Sequence, residues 1–354
     1  MHLKFNHSLL AFSVAGLFAH NSLAEPVYPA EKFDLGHWKI TLPMDLDKNG
    51  KVDEIDVAAI QQYRHEDYFY VDQSGLLVFQ APNKAVTTVS STNTRSELRQ
   101  MLRGTNKKIK TKAPGNNFAL QAHTSAEKFG ATGGILQATL KVNHVARNAQ
   151  LPEKFPAYSV VVGQIHAGKD KQLMKDNTGF GWGNEPLKIY YKKWPEHDTG
   201  SVFWTYERNL EKDNPDRTDI AYPVWGNTWE NSQAPGDKGI ALGEFFSYEV
   251  NVKGNIMHLT FEAEGHPKMQ YEINLADNVD AYGKVDDKDN PAGYAGDWHY
   301  FKAGAYNQCS VKDREGFWYA GCEGTGDWKT DKENGDYVSV SFAKLVLLPP
   351  ASTE

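Results

Sequence analysis

Cysteine is nearly missing: Cys309 and Cys322 are the two in 354 residues, so no multi-disulfide framework is available. Long apolar runs are missing too. The single sustained one, Leu9 to Ala19, falls short of the roughly 20 residues a membrane-spanning helix needs, and mean hydropathy is −0.58. That excludes an integral membrane protein of the helical kind. Nor is there an excess of positive charge: 38 Lys and Arg stand against 45 Asp and Glu, a net −7. A general affinity for nucleic acid or anionic membrane is therefore not expected, and any basic site must be local. Internal repeats, low-complexity tracts and long Pro/Ser/Gly linkers are absent. With 40% hydrophobic and 23% charged residues, the chain is neither disordered, nor collagen-like, nor a coiled coil.

The N-terminus has a recognisable layout. Lys4 is followed by the apolar run and then by Ser22-Leu23-Ala24, the pattern of a secretory signal with its cleavage site. Residues 1–24 are read as that signal and residues 25–354 as one domain with a core at about 33–348. A buried core helix is the alternative for the apolar run. Loss of Lys4 takes the net charge from −7 to −8. No cysteine near Ala24 offers a lipid attachment point, so the expectation is a freely soluble monomer, extracellular or periplasmic. In that oxidising setting Cys309 and Cys322 are expected to pair, closing a small loop worth ~3 kcal/mol in the chain-entropy model. A metal-binding or catalytic thiol pair is the alternative.

Helical periodicity is scarce and strand-like runs recur. Among them are His37–Leu42, Leu76–Gln80, Ile135–Val142, Ser159–His166, Leu187–Lys192, Ser201–Tyr206, Tyr300–Tyr306 and Tyr337–Leu348. Phe245–Val252 alternates with period two, Lys253-Gly254-Asn255 turns, and Ile256–Ala263 returns as a hairpin. About ten such strands predict an all-β fold, an antiparallel two-sheet sandwich of jelly-roll type, concanavalin-like, with a concave sheet face as groove. The one expected helix is Val57–Tyr63. Before it, Asp45 to Asp56 resembles a calcium loop: oxygen ligands fall at positions 1, 3, 5 and 9 and glycine at 6. Position 12 is the short Asp56, and a solvated acidic turn is the alternative. No metal is required for the chemistry expected below.

Three runs carry polar side chains on one face at period two. In Arg95-Ser96-Glu97-Leu98-Arg99 the two arginines and Glu97 share a face. A solvated ladder of surface pairs, each worth ~0–1 kcal/mol, is the plain alternative. In Val160 to His166 an apolar strand ends with Gln164 and His166 on one side and Ile165 on the other. A structural histidine is the plain reading, but the amide of Gln164 lies beside a group that titrates near neutrality. In Tyr300 to Gln308, Tyr300, Lys302, Gly304, Tyr306 and Gln308 share a face, with Gly304 leaving a flat spot for a close ligand. An exposed strand decorated with aromatics is its alternative. Arg103 to Lys112 adds a basic loop, or an ordinary solvated one. Together these side chains describe a basic groove on an acidic protein, suited to a polyanion.

The three runs, in this order, resemble the signature strands of the alginate lyases of polysaccharide lyase family 7, and His37 to Pro43 resembles that family's opening strand. The resemblance spans about Phe33 to Leu348. It implies a jelly roll that cleaves alginate by β-elimination, leaving a 4,5-unsaturated uronic acid end. Arg95, Gln164 and His166 are then expected to neutralise the uronate carboxylate, and Tyr306 to protonate the leaving O4 and also to act as base for mannuronate. His166 is the expected base for guluronate. Arg99, Tyr300, Lys302 and Gln308 are expected to bind neighbouring uronates, and Glu97 to orient the arginines. The Gln164-Ile165-His166 motif implies acceptance of guluronate-containing blocks.

Rival readings remain at this level. A glycoside hydrolase needs two facing carboxylates. Glu54-Ile55-Asp56 lacks its usual second Glu, since position 59 is Ala59. A non-catalytic carbohydrate-binding protein, stacking sugars on Trp and Tyr, has no need of a Tyr and a His beside an arginine. A lyase for another uronate polymer, such as glucuronan, follows the same chemical logic as an alginate lyase.

Overall fold

The computed structural model describes residues 27–150, 152–312 and 318–349; the expected signal sequence lies outside them. The strands follow the chain as β1 (Trp38–Thr41), β2 (Glu54–Ile55), β3 (Phe69–Val71), β4 (Leu77–Pro82), β5 (Asn93–Gln100) and β6 (Phe118–Ala119). Next come β7 (Ala131–Thr132), β8 (Gly134–His144), β9 (Ser159–Lys169), β10 (Leu187–Lys192), β11 (Thr199–Glu207) and β12 (Asp219–Trp225). The last are β13 (Ile240–Ala241), β14 (Phe245–Lys253), β15 (Ile256–Ala263), β16 (Met269–Asn274), β17 (Asp297–Ser310) and β18 (Tyr337–Leu348). Among the described residues three short α-helices, α1 (Val57–Ile60), α2 (Lys171–Asp176) and α3 (Trp328–Asn334), sit in the connections.

An eleven-stranded sheet runs β12-β11-β10-β9-β17-β5-β1-β2, with β13 on β11, β6 on β17 and β7 on β6, and a seven-stranded sheet runs β16-β15-β14-β8-β18-β4-β3. This is the expected antiparallel two-sheet sandwich of jelly-roll type. Period two explains the seal between the sheets. Phe246, Tyr248, Val250 and Val252 of β14 turn inward, as do Leu98, Val160, Val162, Phe301, Ala303 and Ala305 of the opposite sheet. Phe79 packs edge-on against Phe342 at 5.4 Å, and the Tyr248 hydroxyl donates across the gap to the Val162 carbonyl at 3.1 Å. Each large apolar side chain sealed this way contributes ~1.5–3 kcal/mol.

The predicted hairpin forms with Lys253 opposite Ile256 and Gly254 at φ +64°, a conformation glycine adopts without strain. Cys309 and Cys322 are bonded, with Cα atoms 5.4 Å apart. The expected helix is shorter than the sequence suggested: α1 stops at Ile60, capped at its start by Asp56, whose Oδ1 accepts from Val57 N at 2.9 Å. Among the described residues no helix is long and apolar enough to cross a membrane.

Candidate active site

Strand register builds the site. Lys188 of β10, Gln164 of β9, Lys302 of β17, Arg99 of β5 and Lys39 of β1 are directly opposed in succession, forming one row across five strands. Neighbouring strands lie ~4.8 Å apart, so this row presents four cations and an amide at nearly even spacing. A second row places Phe203, Tyr190, Val161, Tyr306 and Arg95 side by side. His166 faces Tyr300. The polar members lie on the hollow face of the eleven-stranded sheet, because their chain neighbours Leu98, Ile165, Phe301 and Ala305 point the other way and fill the core.

Glu97 is the hub. It is only 2% exposed, and its carboxylate accepts from Arg95 Nη1 at 3.0 Å, from Lys302 Nζ and from Gln164 Nε2. Burial alone would raise its pKa; the adjacent Lys302 and Arg95 outweigh that and hold the carboxyl below its usual range. Lys302 pays the opposite way: burial pulls it down to about 8, against the pull of Glu97. The Arg95 guanidinium lies 3.9 Å above the Tyr306 ring, and its Nε has no hydrogen-bond partner among the described residues. The Tyr306 hydroxyl is 3.2 Å from Ser91 Oγ, which itself accepts from Asn93 N at 3.1 Å.

Arg99 is placed differently from its expected role. Its terminal nitrogens donate to the carbonyls of Gln100 (2.6 Å) and Thr111 (3.1 Å) and to Asn117 Oδ1 (2.6 Å), with the guanidinium 3.9 Å above the Tyr300 ring. It thus anchors the basic loop to the groove rim. Tyr300, raised to about 12 by burial, stacks on His166 with centroids 5.2 Å apart. His166 Nε2 lies 3.0 Å from Glu185 Oε1, and Nδ1 lies 2.6 Å from the Ala167 carbonyl. Burial lowers its pKa while Glu185 opposes the shift.

Two residues sit otherwise than the alternation suggested. Gln308 is fully buried and donates to the Tyr306 carbonyl at 3.2 Å, so it supports the strand beneath Tyr306 and does not face the groove. The β17 pairing slips between Tyr306 and Ser310, which breaks the alternation on which its placement relied. Gly304 serves the backbone: at φ +144°, a Cβ there would lie 2.5 Å from the Ser96 carbonyl oxygen, so close approach of β5 explains it better than a flat spot for ligand. In the acidic loop, carboxylate oxygens of Asp45, Asp47 and Asp53 lie within 4.8 Å of one another. Asp56 is turned away, capping α1 and pairing with Arg103 and Lys107, each at 3.4 Å.

Sequence reading missed Lys39, Lys188, Glu185 and Ser91. Lys39 and Lys188 carried a usable signal, since each alternates out of an apolar strand as Gln164 does. Lys188 is 4% exposed and held by Asp219 at 3.1 Å and by Glu185 and Glu207 at 3.8 Å. Glu185 and Ser91 sit in loops, where no periodicity marks them.

A hollow sheet face that lines up cations and sets a tyrosine under a guanidinium suits a polysaccharide lyase acting on a uronate polymer. Comparison with known proteins bears this out. Residues 33–348 match the alginate lyase family. An alginate lyase from Klebsiella pneumoniae is 34% identical over 302 residues, covering 82% of this chain and 88% of that protein. The crystal structure of the alginate lyase from Klebsiella pneumoniae superposes with a TM-score of 0.70 at 29% identity, over 92% of this chain and 99% of that one. The exolytic PL7 alginate lyase AlyA5 from Zobellia galactanivorans gives 0.72 at 33% identity, with coverage of 92% and 99%. The chain belongs to the alginate lyases of polysaccharide lyase family 7, and its substrate is alginate.

Proposed function

We propose that Tyr306, Arg95, Gln164 and His166 carry out β-elimination on alginate, and that guluronate-containing blocks are accepted. The observation that carries this reading is the register of Tyr306 beside Arg95, one strand from Gln164 and His166. The chemical difficulty is removal of the C5 proton next to a carboxylate whose negative charge opposes carbanion formation. Arg95 and Gln164 meet that carboxylate, held at fixed spacing by their shared partner Glu97. Tyr306 gives its proton to O4 as the C4–O4 bond breaks. In mannuronate the same tyrosine takes the C5 proton; in guluronate that proton lies on the opposite face, and His166 takes it. The product end carries a C4=C5 double bond.

The test is growth of near-ultraviolet absorbance on polymannuronate, polyguluronate, mixed alginate and a glucuronan control, with Tyr306→Phe alongside. Loss of the phenol is expected to cost ~10²–10⁴-fold in rate. Full activity of Tyr306→Phe would remove the tyrosine from the mechanism, and faster turnover of glucuronan would reassign the substrate.

Export belongs to the same reading, since the polymer is too large to enter a cell intact; N-terminal sequencing of the protein from culture medium should begin at Glu25. Calcium, if it binds Asp45, Asp47 and Asp53, supports the loop and takes no part in chemistry. Addition of calcium after chelation would then raise the melting temperature and leave kcat alone.

A further inference from the structure

We infer that Glu185 is a positioning residue that favours the protonated ring of His166, and so sets the pH at which guluronate, as distinct from mannuronate, is cleaved. The inference rests on the proton roles given above. Glu185 ends the glycine-rich turn before β10 and is fixed by backbone. Its N–H donates to Glu207 Oε2 at 3.1 Å, its carbonyl accepts from Glu207 N at 3.2 Å, and the preceding Asn184 carbonyl accepts from Ala167 N at 2.9 Å. That places Glu185 Oε1 3.0 Å from His166 Nε2, while the Ala167 carbonyl holds Nδ1 at 2.6 Å.

Both ring nitrogens therefore face oxygen acceptors. A neutral imidazole has one N–H, so in either tautomer a lone pair would point at an oxygen; the imidazolium alone donates to both. The ring is also held by its face, nearly parallel to Tyr300 at an interplanar angle of 11°. Other charges around it pull the other way. Lys302 of β17 and Arg95 of β5 disfavour a cation, as does burial itself. Glu185 is the largest opposing influence, and its own charge is tempered by Lys188, with Glu207 and Asp219 behind.

The consequence separates the two uronates. An imidazolium has no lone pair with which to take a proton, so guluronate cleavage begins with loss of the Nε2 proton to solvent. The ring then turns its freed Nε2 lone pair from Glu185 to the substrate and takes the C5 proton, the C5–H electrons become the C4=C5 bond, and the C4–O4 pair leaves with the Tyr306 proton. For mannuronate Tyr306 handles both protons, and loss of the His166 proton is not required. Glu185 raises the proton affinity of His166, so it moves the acid-side limb of one activity and not of the other.

The test uses the full mature chain with Glu185→Gln, close in shape but uncharged, and Glu185→Asp, which keeps the charge. The His166 ring is titrated by proton–nitrogen NMR, its signal assigned by its absence in His166→Asn, and kcat/KM is followed against pH on polyguluronate and polymannuronate. Glu185→Gln is expected to lower the His166 midpoint by about one pH unit or more. The polyguluronate limb should move down by the same amount, the polymannuronate limb should stay, and Glu185→Asp should restore most of the shift. An unmoved His166 midpoint in Glu185→Gln overturns the inference whatever the rates do, as does a joint movement of both limbs. If the unmodified enzyme leaves alginate intact, the lyase roles fail instead, and the titration still decides the Glu185–His166 pairing.

Discussion

The outer face of the seven-stranded sheet and the hollow face of the eleven-stranded one are built by the same alternation, yet they treat charge in opposite ways. On the outer face, Lys268 and Glu262 pair at 2.7 Å with their side chains about half exposed, and His258 meets Glu272 at 3.2 Å with both well exposed. Across β8 and β14, Gln137 donates to Glu249 at 2.6 Å. On the hollow face a single carboxylate, Glu97, takes three donors at 2% exposure. Water screens the first set, and each pair is worth ~0–1 kcal/mol. The second set is shielded, so every member depends on the others. A period-two polar strand therefore announces a solvated face or a reactive one equally well, and burial of the charges separates them.

Removing one carboxylate from each face sharpens the contrast most. Glu97→Ala leaves Arg95 and Lys302 buried without their counter-charge and should destabilise the fold by about 3–5 kcal/mol in denaturant unfolding, whereas Glu262→Ala should cost about 0–1 kcal/mol. Equal losses would erase the distinction. Next in size is activity. Arg95→Ala should lower kcat by ~10²–10³-fold, the usual toll for losing a charge-stabilising donor, while Lys268→Ala on the outer face leaves kcat as it was. The smallest effect concerns pH. Lys302 is pulled down to about 8 by burial, so its charge is present below that pH and lost as pH rises through it. A polyanion then loses one partner in the row. KM for alginate should climb by roughly threefold to tenfold between pH 7 and 9 and stay flat over that range in Lys302→Met.

Much of this arrangement was legible in the sequence. The strands Leu187–Lys192, Ile256–Ala263 and Tyr337–Leu348 match the observed elements end to end, because apolar alternation and flanking turn residues coincide there. Period two within each strand showed which of Arg95, Glu97, Gln164, Lys302 and Tyr306 share a face, but which of them stand opposed comes from the register alone. What escaped depends on partners far away in sequence. Glu185 gains its meaning from His166 across a strand boundary, and Arg99 is occupied by Thr111 and Asn117, which no local pattern reveals. The helices α2 and α3 escaped for another reason. Asp170 and Asp327 cap them and Asn177 and Gly335 end them in the left-handed conformation, but six or seven residues are too few to show an apolar period.

The irregular pairing between β9 and β10, where Ile189 faces Gly163 and Tyr190 faces Val161, has a reach beyond local twist. Val162 and Gly163 both point inward there, Val162 into the core and Gly163 against the Tyr248 hydroxyl, so the strand changes phase once along its length. That phase change lets Val161 sit beside Tyr306 while Gln164 and His166 still open onto the groove. β9 thus has something like a reading frame. One residue added between Gly163 and Gln164 would hand Ile165 to the substrate and bury Gln164 and His166 in the sandwich, whereas a residue added to an outer turn such as Gly254-Asn255 disturbs no face at all. Soluble yield of the two length variants would show how strictly the chemistry of this sheet is tied to counting.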